Sequence, residues 1–341
     1  VSMKSLLTGV GRRVTLLKEF RQSMRRSNIT GKIVAADLKP NAPASFLADA
    51  SELVPRVNDP QYLESLLDIC TRHKIDLLIP LIDTELQLLA LHQQRFNDLG
   101  VTLLVSSLTT NEICADKAKT SKFFQEIGVN TPKVYDESEI PNLDFPVIVK
   151  PSNGSSSVGV HCINNQTELD FFTSYIKDPI VQELIVGEEY TIDVLVDFEG
   201  KAISIVPRLR IETRAGEISK GLTVKNPALI AAAKQVVESL PGAIGCITVQ
   251  CFLQSNGEIF FIEINPRFGG GYPLSYQAGA DFPSLIMRLF NGETPEVAID
   301  DWEDNLVMLR YDDAVFVKND EIQSPKPVAQ RKVRENLATV Q

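Results

Sequence analysis

The sequence has few of the residues that build disulfides and histidine metal centres. It contains 5 cysteines and 3 histidines in 341 residues. The cysteines are odd in number, lie far apart and never form a C-x-x-C pair. We therefore expect buried free thiols rather than a disulfide framework or a zinc site. Thiols in that state are typical of the cytoplasm, which is the expected compartment.

The sequence also lacks a positive net charge and any long apolar run. Its 34 Lys and Arg residues against 44 Asp and Glu residues give a formal net charge of −10. Such a balance argues against nucleic acid or an anionic membrane as the main partner. No apolar run approaches the roughly 18 residues of a membrane span, and the opening residues lack the apolar core of a signal peptide. We expect a globular protein without a membrane partner.

The first 110 residues alternate short apolar strands with amphipathic helices. Strands are predicted at 4–8, 32–36, 52–57, 76–81 and 101–105, and helices at 12–24, 61–72 and 83–96. This alternation is typical of βαβ units, which build a parallel sheet covered by helices. The fold class predicted for this part is α/β, and we assign it residues 1–110.

Two glycines at the start of this region have two explanations. Gly9 and Gly11 form a G-x-G sequence at a strand-to-helix turn, and Asp37 ends the second predicted strand. An NAD site uses glycines and an acid in these places, but Val14 stands where the third glycine is expected. A tight turn explains the pair equally well, so an NAD-dependent oxidoreductase is only an alternative.

The remaining chain is expected to be α+β. Residues 111–182 form a small module with a helix at 111–128, strands at 133–135, 147–150 and 160–163, and a helix at 167–176. Residues 183–301 carry longer strands at 190–197 and 202–210, preceded by one at 181–185, and helices at 227–240 and 283–290. A tail, 302–341, holds one strand at 307–317 and a polar end.

Residues 249–267 predict a hairpin that binds a metal. If Ser255 and Glu258 close a two-residue turn on Asn256-Gly257, Gln250 lies opposite Glu263. The side chain of Asn265 leaves the same face as that of Glu263, because faces alternate along a strand. Three oxygen-bearing side chains then converge, which suits Mg²⁺ (or Mn²⁺) shared with phosphates. The alternative is an edge hairpin with its polar face in water.

Residues 150–159 predict a phosphate-binding loop. Lys150 ends an apolar strand, and the loop after it contains glycine and several serines, which offer backbone and hydroxyl donors. The candidate ligands of phosphate are Lys150, Ser152, Gly154, Ser155, Ser156 and Ser157. The alternative is a mobile surface hairpin without a ligand.

Two further features raise the case for a nucleotide, and Lys117 completes the order of the residues. Lys117 lies in the sequence DKAKT, far upstream of the loop. Gln182, Glu183 and Ile185 follow an apolar strand start and can offer hydrogen bonds to an adenine edge. Glu189 comes next and can accept the ribose hydroxyls, although it can equally be a solvated charge on a strand.

The order and identity of these residues resemble the ATP-grasp superfamily of carboxylate ligases and carboxyphosphate-forming enzymes. The motifs D-K-x-x-T, V-I-V-K-P with its glycine loop, and Q…E-x-N-P-R carry the resemblance, which runs from about Gly9 to Val317. It implies a Rossmann-like N-terminal domain, a small lid subdomain and a C-terminal subdomain, with ATP between the last two. The phrases LLTGVGRR, EINPRFGGGYP and LRYDDAVFV look most like single-module relatives of the carbamoyl-phosphate synthase large subunit.

The resemblance also implies roles for individual residues. It places Lys117 and Lys150 on ATP phosphates, Gln182, Glu183 and Ile185 on adenine, Glu189 on ribose, Gln250, Glu263 and Asn265 on one or two Mg²⁺, and Arg267 on the transferring phosphoryl group. Position 250 departs from peptide ligases, which often have Asp there. Catalysis would then rest on Arg267 and Lys150.

The activity implied is that of a ligase. A carboxylate or bicarbonate attacks the γ-phosphate, and an amine then displaces phosphate from the acyl phosphate. The candidate acid-binding groups are the backbone of Gly270 and Gly271 and the cations Arg208, Arg210 and Arg214, which can instead pair with Glu212, Glu217 or ATP. The alternative is a non-catalytic ATP-binding subunit or sensor. A homodimer or a second synthase subunit is a candidate partner.

Overall fold

This computed structural model describes residues 2–152, 159–214 and 216–323. The chain divides into two units, each with its own core. The first comprises 1–105, 281–294 and 311–341, and the second comprises 106–280 and 295–310. Within the described ranges, no helix is both long and apolar enough to span a membrane.

The first unit contains a five-stranded parallel sheet. Its strands are β1 (Ser2–Thr8), β2 (Thr30–Asp37), β3 (Ala50–Leu53), β4 (Leu77–Pro80) and β5 (Thr102–Leu103). They lie in the order β3-β2-β1-β4-β5. The chain therefore adds β2 and β3 on one side of β1, and then adds β4 and β5 on the other side. The predicted parallel α/β domain is confirmed.

The helices of the first unit are α1 (Val14–Arg26), α2 (Tyr62–His73), α3 (Asp83–Leu91), α4 (Gln93–Asp98), α10 (Phe282–Phe290) and α11 (Asn319–Gln323). The single helix predicted at 83–96 is two helices, which meet at His92. The helix predicted at 283–290 exists, but it packs against α1, where Ser23 Oγ donates to Asp281 Oδ1 at 2.6 Å. It therefore belongs to the first unit and not to the predicted subdomain 183–301.

The G-x-G sequence forms a tight turn after β1. Gly9 and Gly11 have φ of +61° and +45°, and a Cβ on Gly9 would lie 2.7 Å from Ile82. Asp37 accepts hydrogen bonds from the backbone N–H groups of Gly11 at 2.8 Å and Lys39 at 2.9 Å. The acid thus anchors the turn itself, which supports the turn explanation over a ribose acid.

The second unit begins with a pair of helices and a small sheet. The helices are α5 (Leu108–Ala115), α6 (Lys117–Glu126) and α7 (Gln166–Tyr175), and the strands are β6 (Val147–Pro151), β7 (His161–Ile163) and β8 (Pro179–Glu183). The sheet order is β7-β6-β8, with antiparallel pairs. The strand predicted at 181–185 is therefore wrong in its bounds, because it runs from Pro179 to Glu183 and forms one edge of this small sheet. The strand predicted at 133–135 is only an isolated bridge from Val134 to Gln182.

The rest of the second unit is a six-stranded antiparallel sheet. Its strands are β9 (Glu188–Val196), β10 (Ala202–Arg214), β11 (Glu217–Thr223), β12 (Gly245–Leu253), β13 (Ile259–Asn265) and β14 (Val307–Leu309), in the order β13-β12-β9-β10-β11-β14. Helix α8 (Pro227–Ser239) packs on one face, with Leu229, Ala233 and Val236 buried against Ile192, Val194 and Ile247. A short helix, α9 (Tyr272–Gln277), follows the run of three glycines at 269–271, called the glycine run below.

Two further local predictions for this unit were wrong, and one strand was missed. The helix predicted at 111–128 is broken at Asp116, whose side chain caps α6 by accepting from Ala118 and Lys119 N–H. An N-cap carboxylate satisfies the open donors of the first turn, so the chain starts a new helix there. The strand predicted at 307–317 ends at Leu309, and β11 was not predicted.

Candidate active site

The hairpin of β12 and β13 has the predicted pairing at its inner end and a different turn at its tip. Gln254 and Glu258 bracket a three-residue loop, and Gly257 takes φ +89° there. This loop alone would place Gln250 opposite Ile262. A β-bulge between the pairs Cys251–Phe261 and Gln250–Glu263 shifts the register by one residue, so Gln250 does lie opposite Glu263. Bulges commonly re-aim side chains beside functional sites.

The three predicted metal ligands lie on the two paired strands of this hairpin. Glu263 is half-buried, and Asn265 is buried two residues further on. The two strands bring together one carboxylate and two amides. No group of three or more His, Cys, Asp or Glu residues in the described chain could hold a metal by itself. A metal here would need further oxygen ligands from a bound phosphate.

Two lysines lie within electrostatic range of Glu263. Burial and the nearby Lys117 lower the pKa of Lys150 to about 8, and Glu263 opposes this shift. Burial also lowers the pKa of Lys117, against Glu263 and Asp116. Lys150 lies at the end of β6, and Lys117 begins α6 directly after its cap. Two half-buried ammonium groups thus lie near each other and near Glu263, an arrangement that suits a polyanion.

The phosphate loop starts from a fixed point. The backbone carbonyl of Ser152 accepts a hydrogen bond from Lys117 N–H at 3.1 Å, and Ser152 N–H donates to Asp178 at 2.9 Å. These bonds tie the first residue of the loop to α6 and to the turn before β8. The predicted phosphate ligands Gly154, Ser155, Ser156 and Ser157 lie outside the described residues.

The predicted adenine segment joins the small sheet to the large one. Gln182 is buried on β8, and its Nε2 donates to Pro132 O at 3.2 Å. Two hydrogen bonds join Glu183 to Lys133. The Glu183 backbone N–H donates to Lys133 O at 2.8 Å, and the Glu183 carboxylate accepts from the Lys133 backbone N–H at 3.1 Å. Ile185 is buried in the connection between β8 and β9. The segment is anchored on both sides, which fits a hinge.

The predicted ribose acid is paired. Arg210 Nη1 donates to Glu189 Oε1 at 2.6 Å and to Gln250 Oε1 at 3.3 Å. Burial raises the pKa of Glu189, Arg210 lowers it, and Glu263 raises it further. Arg210 therefore links the predicted ribose acid to a predicted metal ligand, and its own side chain is only 8% exposed.

Arg208 has a different environment from Arg210, although both lie on β10. It is 1% exposed and makes a bidentate pair with Asp193, with Nε–Oδ2 at 2.7 Å and Nη2–Oδ1 at 3.0 Å. Ser275 Oγ donates to the same carboxylate at 2.6 Å. A Cβ on Gly271 would lie 2.2 Å from Arg208 Nη1. Arg208 thus packs against Gly271. A side chain at position 271 would clash with its guanidinium.

The glycine run is also covered from a second side. Arg310 Nη2 donates to Gly270 O, and its Nη1 lies 3.3 Å from Glu217 Oε2. A Cβ on Gly270 would lie 3.1 Å from the Glu217 carboxyl group. Arg214 is exposed at the end of β10.

Arg267 follows β13, two residues after the predicted metal ligand Asn265. Its backbone N–H donates to Asn265 O at 2.8 Å, and Thr248 Oγ1 donates to its carbonyl at 3.0 Å. Its Nη1 donates to Phe268 O at 3.3 Å. The turn that carries Arg267 is thus fixed to both strands of the hairpin.

Sequence reasoning assigned no role to three residues around this site, and it named Glu217 only as an alternative partner of the predicted arginines. Asp193 and Ser275 hold Arg208, and Glu217 and Arg310 cover Gly270. Asp193 had a signal, because it is the one acid in the apolar run of β9 and a buried acid needs a partner. Arg310 lies in the phrase LRYDDAVFV, which carried the family resemblance, but nothing in the sequence linked it to Gly270.

Two family models match the chain. Residues 5–104 match the model described as the PylC-like N-terminal domain. Residues 114–271, which include the hairpin, both lysines and the glycine run, match the model described as the ATP-grasp domain. The chain carries an ATP-grasp domain behind a PylC-like N-terminal domain. The superfamily suggested by D-K-x-x-T and E-x-N-P-R is therefore confirmed.

Curated relatives of the ATP-grasp chain are named as ligases and as a formyltransferase. D-alanine–D-alanine ligase of Fusobacterium nucleatum subsp. nucleatum is 31% identical over 50% of this chain and 62% of its own length. Formate-dependent phosphoribosylglycinamide formyltransferase of Bacteroides fragilis is 26% identical over 77% of this chain and 70% of its own. The chain thus spans less than two thirds of the first of these relatives.

A solved structure shares the fold. The biotin carboxylase domain of Hydrogenobacter thermophilus 2-oxoglutarate carboxylase, a dimer in complex with MgADP, ADP and bicarbonate, matches with a TM-score of 0.69 and 19% identity. The match covers 89% of this chain and 73% of that one. The ATP-grasp fold is confirmed. None of these three relatives is named a carbamoyl-phosphate synthase, so that finer likeness stays a prediction.

Proposed function

We propose that the protein is an ATP- and Mg²⁺-dependent ligase that joins a small carboxylic acid to an amine through an acyl phosphate. The observation that carries the proposal is that Lys117 and Lys150, both partly buried, lie within electrostatic range of each other and of Glu263. Two neighbouring ammonium groups beside the predicted metal ligands suit a polyphosphate. The names of the ligase relatives support the reaction class.

The chemistry proceeds in two displacements. A carboxylate oxygen of the acid attacks the γ-phosphorus, the bond from that phosphorus to the bridging oxygen breaks, and ADP leaves. The amine nitrogen then attacks the acyl carbon, loses its proton, and phosphate leaves as the C–N bond forms. Neither step needs a nucleophile from the protein, which fits the absence of a Ser-His-Asp or Cys-His set from the sequence.

The residues of this chain position and neutralise the reactants. Lys117 and Lys150 hold the phosphates, and Arg267 steadies the charge that grows on the phosphoryl group during transfer. Glu189 and the segment around Ile185 hold the nucleoside. Gln250, Glu263 and Asn265 would hold Mg²⁺ (or Mn²⁺), which when bound neutralises phosphate charge.

The acid is proposed to lie over the glycine run. The backbone of Gly270 and Gly271 can donate to its carboxylate, and Arg214 lies at the exposed end of β10. Arg208 supports this surface from beneath, because its guanidinium is held by Asp193. We place Arg210 on the nucleotide side, because it contacts Glu189 and Gln250. A homodimer and a cytoplasmic compartment remain part of the proposal.

A phosphate-release assay tests the function. Purified protein with MgATP is offered single amino acids, short acids and bicarbonate, each with and without an amine. Stimulation by one acid, lost in Lys150→Met but kept in Lys119→Met, supports the ligase and names the acid class. Stimulation by bicarbonate alone would favour the likeness to carbamoyl-phosphate synthase. ATP binding without stimulation by any acid would contradict the ligase and support an ATP-binding subunit.

A further inference from the structure

A cavity at the amino-terminal edge of the parallel sheet is lined mostly by basic side chains. Its volume is about 270 Å³, and its lining residues are Lys4, Lys32, Val34, Arg72, His73 and Lys74. Ligands of open α/β sheets bind at the opposite edge, beyond the carboxyl ends of the strands. This cavity therefore lies away from the place where the sheet itself would bind a substrate.

The register of the sheet explains why the lysines meet. Lys4 on β1 is paired with Lys32 on β2, and both share a sheet face with the buried Leu6 and Val34. Helix α2 covers the apolar part of that face. Beyond the end of α2, the same face carries Lys4 and Lys32 side by side. Like charges placed directly opposite each other on neighbouring strands destabilise a sheet.

The helix adds its own cations to the cavity. Arg72 and His73 lie in the last turn of α2, and Lys74 caps it with φ +53°. Cations at a helix C-terminus stabilise the helix dipole, which explains these three residues. The dipole does not explain Lys4 and Lys32, which lie on strands.

The acids nearby are already occupied. Glu52 lies 3.0 Å from Arg72 and 2.6 Å from His73, and Asp68 lies 2.6 Å from Arg72. Burial acts to raise the pKa of Glu52, but Arg72 and His73 outweigh it and hold that pKa below its usual value. In the described ranges, the ammonium groups of Lys4, Lys32 and Lys74 make no hydrogen bond or ion pair.

We propose that this cavity is a second anion site, which binds a small phosphate compound such as a diphosphate group. Three lysine ammonium groups give up to nine N–H donors, which suits the oxygens of two phosphates. The small volume and the formal net charge of −10 of the whole chain disfavour a long polyanion such as nucleic acid. The site goes beyond the proposed ligase activity and does not depend on it.

Calorimetric titration with inorganic pyrophosphate tests the site in the full-length chain. The background variant Lys117→Met/Lys150→Met removes the proposed nucleotide phosphate ligands, so any binding that remains lies elsewhere. We expect binding to persist in this background and to weaken at least about tenfold when Lys4→Met and Lys32→Met are added. The double change Lys18→Met/Lys234→Met removes two exposed lysines and is the charge-matched control.

Four results of the pyrophosphate titration would overturn the proposal. The first two are no binding to the wild type and loss of binding in the Lys117→Met/Lys150→Met background alone. The other two are unchanged binding after the Lys4 and Lys32 changes and equal weakening in the control. If the doubly changed sheet fails to fold, Lys74→Asn keeps the left-handed backbone and should itself weaken binding. Orthophosphate and citrate serve as further arms. Citrate binding as tight as pyrophosphate would overturn the phosphate assignment.

Discussion

Arg210 and Glu189 form an ion pair across the neighbouring strands β10 and β9, with Nη1 of the arginine 2.6 Å from Oε1 of the glutamate. The same nitrogen donates to Gln250 at 3.3 Å. One guanidinium thus contacts both the proposed ribose acid and a proposed metal ligand. Arg210 is only 8% exposed but Glu189 is 31% exposed, so water partly screens this contact.

Removal of Arg210 should make nucleotide binding sensitive to acid. Burial already raises the pKa of Glu189, and Arg210 is the group that lowers it. In Arg210→Met the pKa of this carboxyl group should rise further, so ATP affinity should fall more between pH 8 and pH 6 than it does in the wild type, by up to about tenfold, the value of one charged hydrogen bond. Calorimetric titration at both pH values measures this. Arg95→Met, which removes an exposed ion pair, is the control, and parallel pH profiles of Arg210→Met and wild type would contradict the role.

Lys150 should destabilise the free protein. Its pKa is about 8 in the fold against a usual 10.5, so the unfolded chain binds more protons between these values and stability should rise with pH across that window. At pH 7 the cost is fully present, and Lys150→Met should stabilise the protein by up to about 3 kcal/mol. Urea unfolding at pH 7 and pH 9.5 measures the change, with the exposed Lys119→Met as control. A Lys150→Met protein that is less stable at pH 7 would refute the burial argument.

The hairpin shows what sequence reasoning could and could not reach. Asn256-Gly257 correctly marked the turn, and the facing of Gln250 and Glu263 was predicted correctly. The predicted two-residue turn was wrong, and a bulge at Ile262 restores the pairing. Apolar residues occupy both faces of β13 around the bulge, among them Phe260, Phe261 and Ile262, so no alternation in the sequence marks the extra residue.

The arginines of β10 show more clearly what could not be predicted from the sequence. Arg208 and Arg210 share a face by their spacing, and sequence gave them one shared role. The structure separates them, because Asp193 on β9 lies beside Arg208 and Glu189 beside Arg210. Which acid an arginine meets depends on the register of a neighbouring strand, and that register is set by long-range packing. The strand order of the sheet was likewise not readable from one strand at a time.

Arg267 should be needed for turnover more than for binding. It directly follows the predicted metal ligands of β13, with its backbone tied to Asn265, and we propose that it acts at the site of phosphoryl transfer. Arg267→Ala should lower kcat by about 10²–10³, the usual loss for one charge-stabilising donor, with ATP affinity changed far less. Steady-state kinetics with the acid found by the phosphate-release screen measures both. Arg288→Ala, an exposed arginine paired with Glu293, should have wild-type kcat. Normal kcat in Arg267→Ala would remove it from the mechanism.

Glu263 should set the dependence on metal. It is the one carboxylate among the three proposed ligands, and it also opposes the fall in the pKa of Lys150. Glu263→Gln should weaken Mg²⁺-dependent ATP binding at least about tenfold and lower the pKa of Lys150 further. Mg²⁺ titration of ATP binding measures the first effect and the pH dependence of ATP binding measures the second. Glu258→Gln at the exposed tip of the same hairpin is the matched control. An unchanged Mg²⁺ titration would discard the ligand assignment.

The Asp193–Arg208 pair should be a structural element that supports the glycine run. Both side chains are buried, at 0% and 1% exposure, and Ser275 adds a third hydrogen bond. Asp193→Asn leaves the Arg208 charge without a counter-ion and should cost about 3–5 kcal/mol of unfolding free energy. Asp193→Leu combined with Arg208→Met removes both charges and should cost less than Asp193→Asn alone. Urea unfolding of the three proteins measures this order. A double variant less stable than Asp193→Asn would show that the pair contributes net stability, because loss of the whole pair would then exceed the cost of one unpaired charge.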